Sequence, residues 1–194
     1  MAWFNAAFTF CTPLSKAEQV TSFKGYLNDL WTNIAMMDYP YPTNFLSPLP
    51  GNPVNAVCQV IASASDPSEK DADKIIIQAI AAGVNLYNNY TGKAQCLSLG
   101  EPDDIGAGMW DYQACTEMVM PMCFDGINDM FEPAAWNFTQ FAQDCQARWK
   151  VSPRNKMADI MYGSKALNGA SNIIFRYSKL FFFSFCLAQL LCNG

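Results

Sequence analysis

At 194 residues and 51% hydrophobic content, the chain can bury a real core and is too apolar for a disordered tail. Its formal charge of −5, with no basic cluster, excludes a protein that tracks nucleic-acid phosphates. The absence of histidine excludes any Ser-His-Asp, Cys-His or His-containing zinc site built from this chain alone.

Met1 to Phe10 carries no basic leader region, and its apolar stretch ends at Cys11 without a small-residue cleavage site. No signal peptide is therefore read there. Ser15 and Glu18 have capping-box spacing, so a helix is predicted to begin at about Lys16. Val20, Phe23, Leu27, Leu30, Trp31 and Ile34 follow on one helical face. Asp38-Tyr39-Pro40-Tyr41-Pro42 stops that helix, because proline bars its continuation and restricts the preceding residue. A proline-punctuated loop then runs to Gly51. Asn52 as N-cap and Pro53 at the first helical position open a short second helix. Ser68 caps a third, with acidic residues in its first turn and a core stripe of Ile76, Ile80, Val84 and Tyr87.

Residues 97–108 read as an acidic, glycine-rich surface loop. Trp110 to Cys123 is apolar without a clean period, either extended or a broken helix. Asn137 to Trp149 is a further amphipathic helix carrying Phe138, Phe141, Cys145 and Trp149. Asn172-Ile173-Ile174-Phe175 has the composition of a short buried strand. The apolar run from Leu180 to Cys192 is shorter than the roughly 20 residues a bilayer span needs. It is read as a tail outside the domain.

Eight cysteines are present: Cys11, Cys58, Cys96, Cys115, Cys123, Cys145, Cys186 and Cys192. None forms a C-x-x-C pair, which disfavours a zinc cluster or a thioredoxin-type site. Disulfides in an oxidising compartment and buried thiols in a cytosolic protein both remain open on the cysteines alone. The sequons Asn89-Tyr90-Thr91 and Asn137-Phe138-Thr139 turn the balance toward the secretory pathway.

Trp110-Asp111-Tyr112-Gln113-Ala114-Cys115-Thr116-Glu117, continued by Met118-Val119-Met120-Pro121-Met122-Cys123, closely resembles the family of lysosomal Pro-Xaa carboxypeptidase and dipeptidyl peptidase II. Ala35-Met36-Met37-Asp38-Tyr39-Pro40-Tyr41-Pro42, Asn44-Phe45-Leu46, Pro48-Leu49-Pro50 and Asn89-Tyr90-Thr91-Gly92 fall in the family's order. So do Asp129-Met130-Phe131-Glu132-Pro133 and Ser171-Asn172-Ile173-Ile174-Phe175. The resemblance extends from Trp3 to Phe175.

It implies a mainly α chain: the helical insertion, or lid, of an α/β-hydrolase-type serine peptidase over residues 1–170. The first returning hydrolase strand would start at 171–175, and a divergent apolar tail would occupy 176–194. In such a peptidase the nucleophile elbow precedes the insertion, and the acid and histidine follow S-N-I-I-F. Here Arg176-Tyr177-Ser178-Lys179 stands where the family has S-N-G-x-L-D-P-W, as a frameshift or retained intron would produce. No catalytic residue is therefore assigned to this chain, and no cofactor or metal.

The resemblance also implies Cys11–Cys96 and Cys115–Cys145 disulfides, with Cys58 and Cys123 left unpaired because their partners lie upstream. Met120 resembles a residue of the apolar pocket for the substrate's proline. Asp111 matches an acid that, in the dipeptidyl peptidase branch, anchors the substrate's amino terminus. The alternative for Asp111 is a helix cap or a surface acid, and M-V-M-P-M-C is closer to the carboxypeptidase branch. Asn89 and Asn137 are the implied glycan sites. The function so implied is part of a lysosomal or secreted exopeptidase acting next to proline. Its partners would be a proline-containing peptide, the remaining hydrolase domain and, in the parent, a second copy as a homodimer. No nucleic acid and no membrane span are expected. The alternative is a non-catalytic glycoprotein module that binds proline-containing peptides or a partner.

Overall fold

A computed structural model describes residues 1–64, 69–99, 107–119, 121, 123–127, 131–163, 169 and 171–173. They fall into two compact units that divide between residues 100 and 101. Both are built mainly from helices.

The first unit opens with α1 (Ala2–Phe8), which ends at Thr9 in the left-handed region, φ 53°. The turn that follows brings Phe10 beside Phe4 and Phe8, and all three rings gather around Phe23 of α2 (Ala17–Met36). Asn5 holds the turn in place: its side-chain amide donates to Leu14 O at 3.0 Å and accepts from Leu14 N–H at 2.9 Å. The chain is pinned again where Cys11 N–H donates to Leu97 O and Leu97 N–H donates to Thr9 O, each at 2.9 Å. Leu97 is buried there, so the surface loop anticipated from residue 97 does not begin at that residue.

The capping of α2 is displaced by one residue from the Ser15/Glu18 expectation. Lys16 is the N-cap, so the third helical position is Gln19, whose Oε1 accepts from Lys16 N–H at 3.0 Å and Ser15 N–H at 2.8 Å. Glu18, one position earlier on the helix, instead offers its backbone carbonyl to the Ser22 hydroxyl. The anticipated stripe is otherwise inward: Phe23, Leu30, Trp31 and Ile34 are buried, with Val20 and Leu27 half-buried at its edge.

Between the helices, the proline-rich loop folds into an antiparallel hairpin of β1 (Thr43–Asn44) and β2 (Pro48–Leu49), with Thr43 opposite Leu49. Leu49 is thereby turned into the core. The next helix, α3 (Pro53–Ser63), starts where expected but is capped differently. Asn52 sits at φ 51° and its side chain makes no cap bond. Asp38 supplies the acceptor instead, taking the Val54 N–H on Oδ1 at 3.2 Å. Gly51 passes against the backbone of Pro40 and Tyr41, where a Cβ would lie 3.0 Å from Pro40 O.

The last helix of this unit, α4 (Ala72–Asn89), is capped by Asp71, which accepts from Asp73 and Lys74 N–H. Ser68, the anticipated cap, lies outside the described residues. Ile76 is 40% exposed rather than core. The deeply buried part of the helix begins more than a turn later, at Ala81, Gly83 and Val84. There the missing side chain of Gly83 lets Trp31 and Ile61 close in: a Cβ would meet Trp31 at 3.0 Å and Ile61 at 3.2 Å.

The second unit contains α5 (Ala107–Thr116), α6 (Phe138–Trp149) and α7 (Met157–Tyr162). Of the two readings left open for 110–123, the structure forms a helix as far as Thr116, and the described residues between 117 and 123 are not helical. Asn137 caps α6 through Oδ1, which accepts from Gln140 N–H at 3.1 Å. A loop is closed by reciprocal backbone bonds between Phe124 and Ala134, both 3.0 Å.

The strand expected over 172–175 is not formed by its described part. Asn172 sits at φ 58°, a conformation that breaks an extended run, and no strand lies beside it among the described residues. Ile174, Phe175 and the tail 176–194 lie outside the described residues. No helix among the described residues is long and apolar enough to cross a membrane.

Candidate functional site

The W-D-Y-Q-A-C-T-E segment is α5 and its exit, and what it can do depends on α6 beside it. Asp111, Tyr112 and Cys115 share one face of α5, and Cys145, Arg148 and Trp149 share one face of α6, by the three- and four-residue spacing of a helix. The Cys115–Cys145 disulfide joins the two faces, with both cysteines buried. On one side of this link, Tyr112 meets Trp149 edge-on at 5.7 Å, and Asp111 Oδ2 receives Arg148 Nη1 at 2.9 Å. Residues earlier on α5 pair with residues later on α6, so the helices run antiparallel. The Arg148 guanidinium also lies over the Trp149 ring, 5.4 Å from its centre.

Asp111 is thus a surface carboxylate with its side chain 47% exposed and a cation already in place. Arg148 was not singled out from the sequence. The signal was available once Cys115 and Cys145 were paired, since the residue four before Cys115 then falls opposite the residue three after Cys145. Trp110, next to Asp111, is 53% exposed, as is most of Met109. Beyond the helix, Glu117 Oε2 pairs with Arg154 Nη2 at 3.5 Å, and the Gln113 amide reaches Met118 Sδ at 3.8 Å. Met120 lies outside the described residues.

The first unit holds the Cys11–Cys96 disulfide, and Cys123 in the second is an exposed free thiol. Cys58 is disulfide-bonded, which corrects the expectation that it is unpaired. An upstream partner is not the only route to oxidation, because this chain itself supplies further cysteines. Both sequon asparagines use the side-chain oxygen as an acceptor: Asn89 Oδ1 takes Ala94 N–H at 2.8 Å, and Asn137 caps α6. In each case the bond falls on Oδ1 and not on Nδ2, the atom to which an N-linked glycan would attach.

Among the described residues, the perturbed ionisable groups sit in the first unit, along the α2–α4 contact and at the start of α3. Burial pushes the Tyr26 hydroxyl up to about 12, against the lowering effect of its 2.7 Å bond to Asn88, with Tyr87 adding to the rise. Tyr87 is raised first by burial and further by the Asp29 charge, while Asn33 opposes. Asp29 and Asp38 are both raised by desolvation, and for Asp38 the Val54 N–H works the other way. Tyr26, Tyr87 and Asp38 bond across from one element to another, and the four groups present no nucleophile–base pair. No group of three or more His, Cys, Asp or Glu able to hold a metal occurs among the described residues.

Residues 2–180 match the serine carboxypeptidase S28 family. The chain belongs to the serine carboxypeptidase S28 family. Three similar relatives are lysosomal Pro-X carboxypeptidases. The bovine protein is 43% identical over 182 residues, 93% of this S28 chain and 36% of the relative. The human protein is 38% identical over the same extent. The mouse protein is 40% identical over 172 residues, 88% of the chain and 34% of the relative. This S28 chain therefore spans about a third of the length of the curated relatives it matches.

Proposed function

We propose that this chain is the helical, non-catalytic portion of a lysosomal serine exopeptidase that cleaves next to proline. It covers and lines the substrate pocket of an α/β-hydrolase domain and leaves the attack to residues outside it. The observation that carries this reading is the 43% identity to the bovine enzyme over 182 residues in a chain without a single histidine. A Ser-His-Asp triad needs a histidine as its general base, and on this reading that base comes from elsewhere in the enzyme.

Asp111 bears on the direction of cleavage. To hold a substrate ammonium it would have to release Arg148, trading one cation for another at a half-exposed site where such pairs are weak. The carboxypeptidase direction needs no amino-terminal anchor, so the pairing favours it. Met120 is retained as the pocket residue for the proline ring, a role suited to a flexible thioether. No observation favours a free-standing peptide-binding module.

A chimera tests the reading. The matched segment of bovine lysosomal Pro-X carboxypeptidase is replaced by the corresponding residues of this chain, and hydrolysis of a Pro-X substrate is measured. The expected result is retained turnover, with KM unchanged by Asp111→Ala and raised by Met120→Ala. A folded chimera with no turnover counts against the assignment. A large rise in KM from Asp111→Ala would reverse the proposed direction.

A further inference from the structure

A cavity of about 210 Å³ lies within the first unit, between the end of α1, the second half of α4 and residues 94–97. That is below the roughly 300 Å³ at which pockets for whole small molecules begin, so a peptide or cofactor is too large for it. A single sugar ring is not. Ala81, Val84 and Leu97 line it with apolar surface, and the exposed residues Asn85 and Gln95 bring side-chain amides to its rim. Cys96 is also part of the wall, and both cysteines of the Cys11–Cys96 bridge are exposed.

Asn89 forms part of the same wall and is the acceptor of a sequon. The Ala94 N–H on Oδ1 fixes the plane of its amide, so Nδ2 is the atom free to carry a substituent. Thr91 is exposed, in a turn where Gly92 N–H donates to Asn89 O at 2.9 Å and Gly92 takes φ 70°. That conformation is strained for any residue with a side chain. The acceptor nitrogen, an apolar surface and two side-chain amides are therefore gathered at one ring-sized hollow.

We propose that this cavity is the seat of the first N-acetylglucosamine of a glycan on Asn89, and that the seated sugar shields the Cys11–Cys96 disulfide. The acetyl methyl and the apolar edge of the ring lie against Val84 and Leu97. Asn85 and Gln95 exchange hydrogen bonds with the acetamide and ring hydroxyls. Unlike a glycan that merely projects into solvent, this one contributes to packing at the junction of α1 and α4.

The full chain is produced in a secretory host, and occupancy of Asn89 is read by peptide mass mapping. The glycan is then trimmed to one N-acetylglucosamine, and nuclear Overhauser contacts from its acetyl methyl are recorded. Contacts to the Val84 and Leu97 methyls are expected, and their loss in Asn85→Trp, which fills the hollow from an exposed wall and leaves the sequon occupied. Gln95→Ala is a milder companion expected to weaken the same contacts. In Thr91→Ala, which lacks the glycan but keeps Asn89, dithiothreitol should reduce Cys11–Cys96 severalfold faster. An occupied Asn89 with no such contacts and an unchanged reduction rate overturns the seat. An unoccupied Asn89 removes the glycan on which the seat depends.

Discussion

Phe23 is the residue on which the first unit's packing should depend most. It is 2% exposed, and its ring centre lies 4.7 Å from Phe8, 5.0 Å from Phe10, 5.9 Å from Phe4 and 6.1 Å from Tyr26. Three of those contacts are edge-on, the arrangement in which aromatic pairs gain beyond area burial. Phe23→Ala removes a ring from a close-packed site and is expected to cost about 3–5 kcal/mol. Whole domains have stabilities of only about 5–15 kcal/mol, so this is a large share of the total. Phe23→Leu keeps most of the volume but gives up the edge-on ring pairs, and should cost less than the alanine variant without being neutral. Hydrogen exchange of α2 and α4 peptides, followed with increasing urea, reads the loss directly in this unit. An alanine variant within about 1 kcal/mol of wild type, well below the cost of emptying such a site, would refute the placement of Phe23 at the centre of the core.

Other substitutions probe features that local pattern does not reveal. Asp38→Ala removes the acceptor for Val54 N–H and should destabilise α3 by about 1 kcal/mol in urea titration, while Asn52→Gly, which keeps the left-handed conformation at a position whose side chain makes no cap bond, should cost less. Gly83→Ala would ordinarily gain about 1 kcal/mol in a helix interior, yet the new Cβ would lie 3.0 Å from Trp31 and 3.2 Å from Ile61 and force both buried side chains to shift, so a net loss of unfolding free energy is expected. The Asp29 carboxyl is raised in the folded state, so the folded chain holds that proton more tightly than the unfolded chain. Its contribution is therefore greatest at acid pH and declines as pH rises from the ordinary value of 3.8 through the raised one. Urea midpoints measured from pH 3.5 upward should fall more steeply in wild type than in Asp29→Asn, and parallel curves would count against the shift.

Much of the helical framework was legible because it rests on local chemistry. The apolar period of α2, the Asn52-Pro53 start of α3 and the Asn137 start of α6 each declare themselves within a few residues. What was missed depends on partners far along the chain. Asp38 caps a helix from beyond the hairpin, and Leu49 is buried only because a two-residue ladder turns it inward; neither leaves a periodic trace. Ile76 shows the limit of a helical stripe: period places residues on one face, but the neighbouring helices decide where along that face burial begins. At the candidate site, resemblance singled out Asp111, whereas its partner Arg148 emerges only from the antiparallel register set by Cys115 and Cys145.

The most direct test of the central claim is an active-site assay on the purified chain. It is incubated with a serine-reactive fluorophosphonate and, separately, with Pro-X and X-Pro substrates, across acid to neutral pH. A chain without histidine that supplies only pocket and cover should show neither covalent labelling nor turnover. A labelled serine together with turnover that co-purifies with the chain and disappears on mutation of that serine would contradict it.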